Sequence, residues 1–96
     1  MTIDDVRTRL APIRATLENL GVVRFRVFGS VARGAAGNSS DVDCLLDFDQ
    51  TPSLFTLART REAMSNALGV PVDVATASTL RESRRSLVEA ESLDVP

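Results

Sequence analysis

Apolar residues recur at alternating spacings of three and four along the first twenty positions of the chain. They are Ile3, Val6, Leu10, Ile13, Leu17 and Leu20. This period predicts a helix over residues 3–20. Thr2 is suited to cap its start, Pro12 should kink or restart it, and Gly21 is a typical stop.

Further along, short runs of β-branched and apolar residues alternate with helical patterns. Strands are predicted at 22–28, 42–48 and 70–76. Helices are predicted at 53–68 and 79–91, with a short helical turn after Gly29. The order helix, strand, short helix, strand, helix, strand, helix predicts an α+β (α/β-like) fold in one domain, 1–96. In it, a small three-stranded mixed sheet is flanked by about four helices.

The same pattern gives two further predictions about individual residues. The apolar side of the 53–68 helix is predicted to contain Leu54, Leu57, Ala58, Met64 and Leu68. The tail after Leu93 is expected to be frayed.

Composition narrows the possible functions. The 96 residues are 44 % hydrophobic with a formal net charge of −2, so the chain should be globular and is not a general nucleic-acid binder. His, Trp, Tyr and Lys are absent, which excludes His-based catalysis and leaves few platforms for base stacking. One cysteine, no signal-peptide pattern and no long apolar run predict a cytoplasmic protein away from membranes.

The stretch from 28 to 48, FGSVARGAAGNSSDVDCLLDF, holds the candidate chemistry. Gly29 and Ser30 lie where a strand gives way to a helical turn, whose free amides attract phosphate. Asp41 and Asp43 stand two apart at a strand start, so their carboxylates should project together, roughly 7 Å apart along the backbone. Such a pair suits magnesium or manganese. Alone, this spacing also occurs in sugar transferases, calcium loops and solvated strand ends.

A third carboxylate lies in the next strand. Asp73 stands between Val72 and Val74, where an isolated charge is costly unless it is paired or binds metal. If its strand neighbours the Asp43 strand, Asp73 would join the metal site and help to orient or deprotonate an attacking hydroxyl. The alternative is a partly exposed strand end.

Other residues of these strands have plainer interpretations. Asp47 should be a surface residue at the far end of its strand, and Cys44 a buried, inert thiol pointing away from Asp43. Arg24 and Arg26 share one strand face. That face is interpreted as solvated, with the nucleotide groove as the alternative.

The combination Gly29-Ser30-x-Ala-Arg33-Gly34, then Ser40-Asp41-x-Asp43, then Asp73, resembles the minimal nucleotidyltransferase (MNT) domains of the DNA polymerase beta superfamily. The resemblance covers nearly the whole chain. It implies catalytic and metal-binding roles for Asp41, Asp43 and Asp73, which would hold two Mg²⁺ or Mn²⁺ ions. It also implies that Gly29 and Ser30 bind the triphosphate of ATP.

Arg33 and Ser40 also match the pattern. Arg33 would contact phosphate or a partner, or balance a nearby carboxylate. Ser40 would hydrogen-bond Asp41 or be a simple loop residue. Both are predicted here as nucleotide-binding positions.

Small MNT proteins pair with HEPN ribonuclease toxins, so the resemblance implies an antitoxin that transfers AMP to a toxin tyrosine. No direct nucleic-acid binding and no membrane contact are expected. The alternative is a binding module that neutralises the toxin by docking alone. A transferase acting on RNA ends or on a small molecule is a weaker alternative, since both usually need a further substrate domain.

Overall fold

A computed structural model describes residues 2–29 and 41–76, and the backbone of 93–94. The first helical stripe forms α1 (Ile3–Leu10), a 3₁₀ turn (Ala11–Ile13) and α2 (Arg14–Asn19). The 3₁₀ turn contains Pro12, so the predicted interruption is confirmed. Thr2 and Asp5 form a reciprocal capping box at the start of α1, with bonds of 3.2 and 2.9 Å.

The three predicted strands are present as β1 (Val22–Phe28), β2 (Val42–Phe48) and β3 (Val72–Ala75). The helix α3 (Leu54–Leu68) lies between β2 and β3 in the chain, is capped by Ser53 and ends at Gly69, which has a left-handed backbone conformation. The strand β2 pairs antiparallel with β1 and parallel with β3. The sheet is therefore mixed, as predicted.

The sheet also contains a strand that the sequence did not predict. Leu93–Asp94 forms β4, which pairs antiparallel with β1 and gives the order β3-β2-β1-β4. The expectation of a frayed tail after Leu93 is thus wrong for Asp94. Two residues are too few for a periodic signal, and their strand exists only through its pairing with β1.

The core lies between one face of the sheet and the helices. Its members come from the three helices and from β1, β2 and β3, and they are Val6, Leu10, Leu17, Val22, Val27, Val42, Cys44, Leu46, Met64, Leu68 and Val72. The predicted burial of Cys44 is confirmed. Leu54, predicted on the apolar side of its helix, is instead 86 % exposed.

The predicted count of about four helices is not confirmed. The described ranges hold α1, α2 and α3 with the 3₁₀ turn. The helical turn expected after Gly29 and the helix expected at 79–91 lie outside the described residues. In the described part of the chain, no helix is both long and apolar enough to cross a bilayer.

Candidate functional site

The candidate site lies at one end of the sheet, where β1 ends and β2 and β3 begin. Gly29 directly follows β1, Asp41 directly precedes β2, and Asp73 is the second residue of β3. Because β1 runs antiparallel to β2 while β3 runs parallel to it, the three segments meet at the same edge. The topology thus places these sequence-predicted residues at one end of the fold.

Asp43 and Asp73 are direct neighbours across β2 and β3. They are register partners in the parallel ladder, which puts their side chains on the same face of the sheet. Adjacent strands are about 4.8 Å apart, so the two carboxylates are within reach of one cation. The prediction that Asp73 lies beside Asp43 is confirmed.

The buried thiol behind this pair responds to both charges. Cys44 is fully buried on the opposite face, and burial raises the pKa of its thiol. The negative charges of Asp43 and Asp73 raise that pKa further. Two carboxylates therefore concentrate negative potential at this point of the sheet, which favours a bound cation.

Gly29 lies against the Asp43 carboxylate. Phe28 pairs with Asp43 in the β1–β2 ladder, so the next residue turns directly past it. A Cβ built on Gly29 would lie 2.5 Å from Asp43 Oδ2, and its φ is +69°. Only glycine fits both the left-handed backbone and the close approach. The turn and the acidic pair are thus parts of one site.

Asp41 occupies a more peripheral position. It is exposed and lies one residue before β2, whereas Asp43 is half-buried. Within the described residues, no three acidic or cysteine side chains converge closely enough to hold a metal ion together. The pairing of Asp43 with Asp73 is therefore what the structure brings together, and the three-carboxylate ligand set stays a prediction.

The donors present fit a divalent cation of the magnesium type. Carboxylate oxygens are hard ligands, and two adjacent carboxylates repel each other unless a cation or a proton offsets their charge. Ser30, Arg33 and Ser40, the other predicted nucleotide-binding residues, lie outside the described residues.

Sequence reasoning missed an ion pair on the same face of the sheet. Arg26 Nη2 lies 3.2 Å from Asp47 Oδ1, and Arg26 is only 8 % exposed. The interpretation of this strand face as solvated is therefore wrong for Arg26. Asp47, predicted to be a surface residue, is half-buried in this contact, with 34 % of its side chain exposed. The only sequence signal was the opposite charge of two strand residues, which becomes informative once the β1–β2 register is known.

Comparison with known proteins places this geometry in a family. The nucleotidyltransferase domain family matches residues 9–94. Protein adenylyltransferase MntA of Thermococcus cleftensis is 37 % identical over 82 residues, which cover 84 % of this chain and 83 % of that protein.

Similarity to solved structures supports the same family. One described provisionally as a minimal nucleotidyltransferase superposes with a TM-score of 0.82 at 36 % identity, covering 97 % of this chain and 95 % of its own. An MNT antitoxin crystallised with a tri-AMPylated HEPN toxin of Shewanella oneidensis shares the fold, with a TM-score of 0.70 at 14 % identity, covering 95 % and 71 %. The chain therefore belongs to the nucleotidyltransferase domain family and is a nucleotidyltransferase with protein adenylyltransferases among its relatives.

Proposed function

We propose that the chain is an antitoxin that transfers AMP from ATP to a tyrosine hydroxyl of a partner HEPN ribonuclease toxin in the cytoplasm. The observation that carries the proposal is the Asp43–Asp73 register pair beside Gly29 in a nucleotidyltransferase fold. The relative named MntA and the fold shared with an MNT antitoxin support the choice of a protein acceptor.

In this proposal the residues of the site divide nucleotide binding, metal binding and proton transfer among them. Gly29, which has no side chain, allows the polyphosphate of ATP to approach the end of β1 closely. Asp43 and Asp73, with Asp41 at the rim, would hold Mg²⁺ or Mn²⁺, as two ions. Such ions, when bound, neutralise phosphate charge and favour an in-line displacement at phosphorus. Ser30, Arg33 and Ser40 would complete the nucleotide contacts.

The proposed reaction exchanges one bond to phosphorus for another. The acceptor oxygen forms a bond to the α-phosphorus of ATP, the bond from that phosphorus to the bridging oxygen breaks, and pyrophosphate leaves. The hydroxyl proton passes to the carboxylate of Asp73. The products are an AMP ester on the acceptor and pyrophosphate.

Composition favours a protein acceptor over a nucleic-acid end. The net charge of −2 and the absence of Trp and Tyr provide little for binding a strand of phosphates and bases. Because the chain itself has no Tyr, it cannot modify its own tyrosine. A tyrosine acceptor would therefore lie outside this chain.

The test is the intact mass of the HEPN partner after co-expression. With the wild-type chain, the partner should gain about 329 Da per AMP group, the mass of AMP less water. Asp41→Asn with Asp43→Asn should abolish the gain while the chain stays folded. Asp47→Asn with Asp49→Asn makes the same charge change at the same spacing at the other end of β2. This variant should retain the mass gain when it is expressed below its own unfolding temperature.

The same variants separate catalysis from docking. If the Asp41→Asn, Asp43→Asn chain leaves the partner unmodified yet still neutralises it, the chain is a binding module rather than a catalytic antitoxin. Modification of the partner by this double variant would overturn the assignment of the two aspartates.

A further inference from the structure

A groove lies at the end of the sheet opposite the aspartates, between the α1–α2 segment and the start of β1. Its cavity volume is about 90 Å³. Three arginines line it, namely Arg7 on α1, Arg14 on α2 and Arg24 on β1. We call it the arginine groove. Since β1 is seven residues long, the groove is about 20 Å from Gly29 along the strand.

The charge of the arginine groove is opposite to that of the chain. Among the described residues its lining has three arginines and one carboxylate, Glu18, whereas the whole chain has a net charge of −2. Arg7 shares part of its charge with Asp4 through a 2.9 Å ion pair on α1. Arg14 and Arg24 are both exposed beside the groove, and Arg24 also interacts with another residue of the fold. A positive potential on an acidic chain selects an anionic occupant.

The floor and rim of the arginine groove are apolar. Leu10 and Leu17 line it as buried residues, Phe25 is half-buried, and Val23 is 66 % exposed at the rim. An exposed valine next to arginines is typical of an interface, where apolar anchors and positive charge act together. The occupant should therefore present both an apolar side chain and carboxylates.

The other large exposed apolar residues of the described ranges lie at the same end of the fold. They are Leu54 and Phe55, 86 % and 70 % exposed. They open α3, the helix that follows β2, and the end of β2 pairs with the start of β1 at Val22 and Phe48. Apolar exposure is thus concentrated away from the aspartates, as expected where docking and chemistry are separate.

We propose that the arginine groove docks an acidic segment of the protein acceptor, with one apolar side chain of that segment seated between Leu10 and Phe25. This rests on the proposed function, since the acceptor is the protein that receives AMP. The cavity is well below the several hundred Å³ of a nucleotide pocket, so it suits a side-chain anchor and not a second ATP.

A second copy of the chain and an RNA fit the groove less well. Two copies meeting through this face about a two-fold axis would bring the arginines of one against the arginines of the other. RNA binding would leave the apolar floor unused and Glu18 facing phosphates. An acidic protein segment satisfies both the charge and the floor.

The experiment measures AMP transfer to the purified HEPN partner at varied partner concentration. Arg14→Glu should raise the KM for the partner about tenfold at low salt, with kcat and the KM for ATP unchanged. Screening should shrink this difference at high salt. Arg61→Glu, the same change at another exposed helix position, should behave as wild type.

Direct binding of the partner, measured by calorimetry with the wild type and Arg14→Glu, separates this proposal from the proposed function. If Arg14→Glu binds the partner more weakly and the wild type transfers no AMP, docking at the arginine groove is supported and the proposed function is overturned. The docking proposal would be overturned by AMP transfer whose KM for the partner is unchanged in Arg14→Glu, or is raised equally by Arg61→Glu. The docking proposal would also be overturned if the binding of a labelled RNA, or dimerisation seen by sedimentation, depends on Arg14 while partner binding does not.

Discussion

Asp43 and Asp47 lie on the same face of the same strand, four residues apart, and they have opposite surroundings. Asp47 faces Arg26 across the antiparallel β1–β2 pair, at 3.2 Å. Asp43 faces another carboxylate, Asp73, across the parallel β2–β3 pair. One end of β2 therefore places a carboxylate beside an arginine, and the other places two carboxylates side by side.

The difference shows that the residue on the neighbouring strand decides the role of each aspartate. A carboxylate beside an arginine is an element of stability, because separating the pair would leave a buried guanidinium without its partner. Two carboxylates side by side cost stability, and a fold keeps such an arrangement where a cation will bind. Substitutions that replace or remove these partners test this division.

The largest expected effect is on catalysis. Asp43→Asn should lower the rate of AMP transfer by at least about a hundredfold, since changes to groups that only support metal ligands already cost 10–100-fold. Asp47→Asn should transfer at a rate within about threefold of wild type when assayed below its unfolding temperature. Steady-state assays with radiolabelled ATP check both, and equal losses in the two variants would contradict the division.

Two left-handed glycines give the next comparison. Gly29→Ala and Gly69→Ala should each cost roughly 1–2 kcal/mol from backbone strain, because φ is +69° and +76°. A Cβ at Gly29 also meets Asp43 at 2.5 Å, whereas a Cβ at Gly69 meets nothing within 4 Å. Only Gly29→Ala should therefore reduce transfer, by roughly ten- to a hundredfold.

Thermal denaturation of both glycine variants supplies the control for that comparison. Similar melting temperatures with unequal activities would support a displaced Asp43 carboxylate. Equal activities in the two variants would show that Gly29 has no special part in the site.

A smaller effect concerns the stability of the ion pair. Asp47→Asn should destabilise the fold by roughly 1–2 kcal/mol, below the cost of breaking a fully buried pair, because the Asp47 side chain is 34 % exposed. The melting temperature should fall by about 5–15 °C for a domain of this size. Replacing both partners, with Arg26→Met and Asp47→Leu, should recover most of this loss. A double variant as unstable as the sum of the single variants would contradict a pair held mainly by mutual neutralisation.

The smallest effect concerns a carboxylate remote from the sheet. The backbone N–H of Thr2 donates to Asp5 and lowers the pKa of its carboxyl from the ordinary 3.8. A lowered pKa means that this stabilisation is complete above the unfolded pKa and is lost as pH falls through the folded one. The melting temperature of Asp5→Ala should therefore lie below wild type at pH 7, with the gap closing in acid. Asp4→Ala removes the same charge from the same turn without the capping bond and should show a smaller gap.

Local features of the fold were predictable from sequence because their causes are local. The Thr2 cap, the interruption at Pro12 and the ends of α3 at Ser53 and Gly69 depend on residues a few positions apart. The proximity of Asp43 and Asp73 was predictable for a related reason. A strand, a helix and a strand in succession bring the two strand starts to one edge.

Features that depend on register or on distant partners were not predictable. The Arg26–Asp47 pair requires the β1–β2 register, which shifts between Val22 and Arg24. The strand Leu93–Asp94 exists through its partner β1. Leu54 has the helical spacing of a core residue, yet it lies at the first position of α3, where it stays exposed.

The most direct test of the central claim is a titration of Mn²⁺ in the presence of a non-hydrolysable ATP analogue, followed by electron paramagnetic resonance. Asp43→Asn with Asp73→Asn should weaken Mn²⁺ binding at least about tenfold, and Asp47→Asn should bind as wild type. Unchanged Mn²⁺ affinity in the Asp43→Asn, Asp73→Asn chain would contradict a cation site built on the neighbouring starts of β2 and β3.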